Sequence, residues 1–167
     1  MSKNTDSTSG DSPRQLLRHT VATLAYRGQK AVRGAPADFS DFRAYETTRT
    51  PGKILAHICD LLDWALSQAK GKEEWHDSKT LPWSEEVKRF SVGLKALDDY
   101  LASASALAVP PEKLFQGAIA DALSHVGQIS LLRRMAGSPV RAENYSQAEI
   151  ISGRVGAEQT SPRREFD

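Results

Sequence analysis

Apolar residues recur along this chain at three- and four-residue intervals in four separate blocks, with polar connections between them. In the block opened by Ser12 and Pro13, the residues Leu17, Val21, Leu24, Gly28 and Ala31 fall on one helical stripe, and Gly34 with Pro36 ends it. A hydroxyl that accepts from free N–H groups, followed by a ring pre-set for the first turn, is a good helix start. Thr50 and Pro51 repeat that signal. The segment they open, up to Gly71, predicts a second helix with Ile54, His57, Ile58, Leu61 and Ala65 facing inward. Ser84 is the expected cap of a third helix, whose stripe is Val87, Phe90, Leu94, Leu97 and Leu101. Pro110 and Pro111 open the fourth. Its inner face reads Leu114, Ala118, Asp121, Ala122, His125, Ile129 and Leu132, and Gly137 with Pro139 closes it.

Four amphipathic helices with few period-two alternations predict an all-α fold, a four-helix bundle over residues 12–139. The long connection "GAPADFSDFRAYETTR" lets the order in space depart from simple up-and-down, and Phe39, Phe42 and Tyr45 are available to cover an end of the core. Residues 1–11, rich in Ser, Asp, Asn and Gly, read as a disordered tail. Residues 140–167 read as a mostly irregular C-terminal arm with one weak helical turn, free to pack back on the bundle.

The pattern places three polar groups on inward stripes: His57 in the second helix, Asp121 and His125 in the fourth. Burying an unpaired charge is costly, so such groups are neutralised, paired or bound to a metal. Residues four apart project from the same helix face, so Asp121 and His125 can close on one ion. If the second and fourth helices face each other, His57 supplies a third ligand. Two imidazoles and a carboxylate suit a divalent transition metal, such as Zn, Ni, Fe or Mn, and leave positions open for water or substrate. The alternative is a metal-free core in which a neutral histidine bonds a carbonyl, or an Asp–His pair stabilises itself.

The segments "RTPGKILAHICDLLDWAL" and "DALSHVGQISLLRRMAG" resemble the DinB-like superfamily of bacterial four-helix-bundle proteins, over roughly residues 13–140. In that family a second-helix histidine joins two positions four apart on the fourth helix, often within "HxxxHxGQ". The resemblance assigns His57 and His125 as metal ligands, with Asp121 standing where many members carry histidine. It also implies Gln128, one turn beyond His125, as a group that orients a ligand or a bound water. Characterised branches include transferases and isomerases that use low-molecular-weight thiols. The implied activity is therefore metal-activated thiol transfer or hydrolysis on a small molecule, with the rival reading a non-catalytic stress or interaction bundle. Helical bundles with spare apolar surface often dimerise, so a homodimer stays open, with Trp64, Trp75 and Trp83 either contributing to it or capping the core.

Charge and cysteine content narrow the remaining classes. Lys plus Arg number 22 and Asp plus Glu 21, with no dense basic stripe, which argues against a dedicated nucleic-acid binder. No apolar run approaches the roughly 20 residues that span a bilayer and the N-terminus has no signal-peptide core, so a cytoplasmic protein with no membrane partner is expected. The single cysteine, Cys59, rules out an intrachain disulfide; two residues from His57, it points away from that ligand and reads as an inert, partly buried thiol. His19 and His76 read as solvated. So do Arg133 and Arg134, at a helix end whose dipole they complement. Gly127 reads as a site of close helix approach. "EEWH" gives Glu73-x-x-His76 once, in a loop, and is rejected as a di-iron motif.

Overall fold

The computed structural model describes residues 12–166. Helix α1 spans Ser12–Val32, α2 Pro51–Ala69 and α3 Trp83–Ala102. The fourth rod is composite: α4 (Pro111–Leu114) runs through a π-helical stretch (Phe115–Ile119) into α5 (Ala120–Met135). Both α1 and α2 pack against α3 and α5, so the first two helices in sequence stand diagonally across the bundle. The connection at residues 33–50 makes that diagonal crossing, and it brings α2 against α5.

The inward stripes are as the spacing predicts. Leu17, Val21, Leu24 and Ala31 of α1 meet Ile54, Ile58, Leu61 and Ala65 of α2, Phe90, Leu94, Leu97 and Leu101 of α3, and Ala122, Ile129 and Leu132 of α5 in one buried core. Gly28 lets α1 approach α3: a Cβ there would stand 2.4 Å from Phe90 Cζ. Among the described residues, no helix is long and apolar enough to cross a membrane.

Three ends differ from expectation. Helix α3 begins at Trp83 with Pro82 in the cap position, so Ser84 is not the cap; no side chain caps that end. The Leu81 N–H instead donates to Glu86 Oε1 at 2.8 Å, a carboxylate of the first turn reaching back to a free donor. Phe39 is buried and Phe42 partly so, but Tyr45 stands out in solvent and covers nothing. Arg133 is not solvated: it is 5% exposed. Its guanidinium donates to the carbonyls of Ala31, Arg33 and Gly34, and to Ser138, at 2.9–3.2 Å. A fixed fork of donors thus satisfies the free carbonyls at the end of α1 and ties α5 to it. Arg134 is exposed as expected.

The C-terminal arm does pack back. Ala142–Glu143 (β1) pairs antiparallel with Glu165–Phe166 (β2). Buried Glu143 accepts from Tyr26 Oη at 2.7 Å and Lys30 Nζ at 2.6 Å, and Lys30 also reaches Glu165 at 2.7 Å. Val155 joins the core. The weak helical turn is a 3₁₀ turn at Tyr145–Gln147, where Arg27 lies over the Tyr145 ring. The tail expected at residues 1–11 lies outside the described residues.

Candidate metal centre

Helix α2 starts where the sequence says it should. The Thr50 hydroxyl accepts from the Lys53 N–H and Pro51 takes the first turn. Gly52 is required by crowding: a Cβ there would meet Ser40 Oγ at 2.5 Å and the Ser40 carbonyl at 3.1 Å. From that start His57 projects toward α5. On the fourth rod the π-helical stretch ends at Ile119, two residues before Asp121, and π turns inside α-helices frequently mark functional sites. Here the stretch packs under Trp64, whose ring would lie 3.7 Å from a Cβ on Gly117.

His57, Asp121 and His125 come together across the α2–α5 seam, with one donor atom from each lying within 4.8 Å of the others. His57 Nε2 is 3.6 Å from Asp121 Oδ2, and His125 Nε2 is 3.4 Å from Asp121 Oδ1. The two imidazoles meet edge to face with centroids 4.9 Å apart. The separations are informative. N–H···O hydrogen bonds fall at 2.7–3.2 Å, so neither histidine hydrogen-bonds the carboxylate. The two distances run to different oxygens of the carboxylate. Ligands bound at about 2.0–2.1 Å in a tetrahedron stand roughly 3.3 Å apart, so donors lying within 4.8 Å of one another would draw in slightly to close on one ion.

The histidines are prepared for that role. His125 Nδ1 lies 2.9 Å from Gln128 Oε1, an acceptor, so the ring proton sits on Nδ1 and the Nε2 lone pair faces Asp121. Burial, then the neighbouring His125 and Arg49, holds His57 below the ordinary imidazole range, against the opposing pull of Asp121. His57 is therefore neutral near neutral pH, the form a cation requires. Trp75 stands edge-on to His57 at 5.6 Å and to Trp64 at 5.8 Å, an aromatic wall on one side of the centre. Trp64 Nε1 donates to Glu73 at 3.0 Å, which holds that wall to the loop. Trp83 packs elsewhere, edge-on to Phe39.

One part of the expectation is corrected. Asp121 does not lie on the buried stripe: its side chain is 48% exposed, while His125 is 12% exposed. Ala118 and Ala122 carry the inward face beside it, and the carboxylate stands at the rim of the seam. Its burial therefore raises no problem for an ion to solve, and the support for metal rests on the donor geometry. Gly127 is also corrected, since a Cβ there would meet nothing within 4 Å and no helix approaches it. Cys59 is fully buried on the opposite side of α2, its thiol pushed up by burial and directed at the Glu86 carbonyl 3.8 Å away. It has the inert character expected of it.

A second cluster escaped the sequence reading. Asp60 and Asp63 of α2 meet His76 of the following loop, with His76 Nε2 at 3.3 Å from each carboxylate. His76 is therefore paired, although half-exposed. The cluster already holds a cation: Arg89 Nη2 of α3 donates to the same oxygens, Asp60 Oδ1 and Asp63 Oδ2, and lies 3.4 Å from His76 Nε2. Ser78 N–H supplies Asp60 Oδ2 at 2.9 Å. The guanidinium occupies the place an ion would take. The spacing of Asp60 and Asp63 on one face of α2 was a visible signal; their partner Arg89, a helix away, was not.

The donor sets could hold a metal at either cluster, but only the first lacks a cation of its own. Comparisons of the chain with protein-family models, with curated proteins and with solved structures give no match.

Proposed function

We propose that the chain is a metal-dependent enzyme of the DinB-like superfamily, carrying out thiol transfer or hydrolysis on a small molecule at the His57–Asp121–His125 centre. The observation behind this reading is the set of spacings: three donor atoms too far apart to bond one another, close enough to share an ion, with no protein cation among them. The resemblance carried by "AHICD" and "SHVGQ" adds the class of chemistry.

A divalent ion held by these three residues would act as a Lewis acid, lowering the pKa of a coordinated thiol or water and polarising an electrophile. The chain's own residues supply the rest. Gln128 fixes the His125 tautomer, and the lowered basicity of His57 keeps its lone pair available. Trp64 and Trp75 shield one flank from water. Half-exposed Asp121 leaves the other flank open to a substrate.

The rival reading is a non-catalytic helical bundle, and one observation favours it: the Asp121 side chain is 48% exposed, so water can solvate it without any metal partner. A screen of thiol conjugation and hydrolysis decides between them. It would use wild-type protein loaded with Zn, Ni, Fe or Mn, and His125→Ala as the control. Turnover that needs both metal and His125 is expected; a metal-loaded wild type inert across thiols, esters and amides supports the bundle without catalysis.

A further inference from the structure

A cavity of about 370 Å³ adjoins the centre, with His57 at its edge. Its α2 side carries Lys53, one turn before His57 on the same helix face, and Arg49, which stands just ahead of the Thr50 cap. Its other wall is the loop preceding α3, which contributes Asp77 and Lys79. Ion pairs elsewhere on the surface include Arg18 with Asp98, Lys95 with Asp99 and Arg163 with Glu149. Among the described residues, the side chains of Arg49, Lys53 and Lys79 have no hydrogen-bond or ion-pair partner. The carboxylates in the wall do not compensate them, because Asp60 is already taken by Arg89 and only Asp77 is left unpaired. Three cations around a concave surface, facing one available carboxylate, make a positive field focused on a space of small-molecule size.

We propose that the substrate, or its thiol co-substrate, carries a carboxylate or phosphate bound among Arg49, Lys53 and Lys79, with its reactive end directed past His57 to the metal centre. The direction of the reactive end rests on the function proposed above; the anion cavity does not. The space is of small-molecule size, and the shared anionic chemistry leaves the carboxylic or phosphorylated source to experiment.

Metal-free wild-type protein titrated with inorganic phosphate and with succinate, followed by tryptophan fluorescence at low salt, tests the cavity alone. Saturable binding is expected that weakens as salt rises. An Arg49→Ala/Lys79→Ala double variant should lose at least tenfold in affinity, and Lys88→Ala, away from the cavity, should lose nothing. Tighter binding of phosphate assigns a phosphorylated ligand, and of succinate a carboxylic one. Equal affinity of wild type and double variant for both anions overturns the proposal. A second titration uses cobalt-loaded protein and follows the absorbance of the ion with 3-mercaptopropionate and with 2-mercaptoethanol. The charged thiol should half-saturate at about tenfold lower concentration, with the preference lost in the double variant. Protein that binds the anions but takes up no cobalt contradicts the metal reading and leaves the anion cavity standing. Cobalt uptake with no preference for the charged thiol contradicts the anion proposal and leaves the metal reading standing.

Discussion

Helix α2 carries two clusters of carboxylate and imidazole within one turn of each other, and their chemistry diverges. Toward α3, Asp60, Asp63 and His76 surround Arg89, whose guanidinium bonds both acids. Toward α5, His57, Asp121 and His125 surround nothing of their own charge type. The same residue classes form a structural ion pair in one case and a donor set with no protein cation among its members in the other. What separates them is a single arginine, contributed from a helix distant in sequence. A census of acids and histidines cannot distinguish such sites; the position of the nearest fixed cation can.

The comparison breaks most severely at that arginine. Replacing Arg89 with Leu leaves Asp60, 3% exposed, without its counter-charge. Removing one partner of a buried pair costs about 3 kcal/mol or more, so chemical denaturation should show a loss of that size. The corresponding His57→Ala change in metal-free protein should cost about 1 kcal/mol, because its side chain has no hydrogen-bond partner in the seam and gives up only edge-to-face contacts with Trp75 and His125. Similar losses in both variants would erase the distinction drawn here.

Next in size is the supporting glutamine. Gln128→Leu removes the acceptor from His125 Nδ1 and frees the ring to turn, so divalent-metal affinity measured by chelator competition should fall roughly 10–100-fold. Unchanged affinity would mean that the Nδ1 contact orients nothing. Asp121→His supplies the residue that the proposed DinB-like reading expects at that position and should keep metal binding, with an altered preference among Zn, Ni, Fe and Mn. Loss of all binding in that variant would count against the resemblance.

A smaller effect separates the clusters by pH. Burial pushes Asp60 up, but the hydrogen bonds from Ser78 and Arg89 outweigh it and hold the carboxyl below its ordinary value. A group with a depressed folded pKa contributes stability that is present above its unfolded pKa, near 3.9, and is lost as pH falls through the folded value. Wild-type stability should therefore decline on that acid limb, and Asp60→Asn should flatten it. Smallest of all, Thr50→Ala removes the cap of α2 and should cost about 1 kcal/mol without altering metal affinity.

Much of this architecture was legible because helix periodicity is a local signal. The stripes from Leu17 to Ala31 and from Phe90 to Leu101 needed only spacing, and Thr50–Pro51 announced the start of α2. The pair of histidines was legible for the same reason, once α2 and α5 were taken to face each other. Asp121 was not, because at the edge of a stripe a residue turned slightly further becomes a rim residue, and the π-helical stretch before it disturbs the phase that spacing assumes. Arg133 was misread because its partners are carbonyls at the end of a different helix, and sequence patterns do not record backbone acceptors. Arg49, Lys53 and His57 did share a visible spacing. Their meaning depended on the loop that closes the cavity, and on the wall's acids leaving them unpaired, both tertiary facts.

The measurement closest to the central claim is the metal content of protein purified without added metal, by elemental analysis, on wild type, His57→Ala, His125→Ala and the Asp60→Asn/Asp63→Asn pair. One equivalent of a divalent transition metal in wild type and in the Asp60/Asp63 variant, lost in both histidine variants, is the expected result. Metal that persists without His57 and His125, or that vanishes with Asp60 and Asp63 instead, would contradict it.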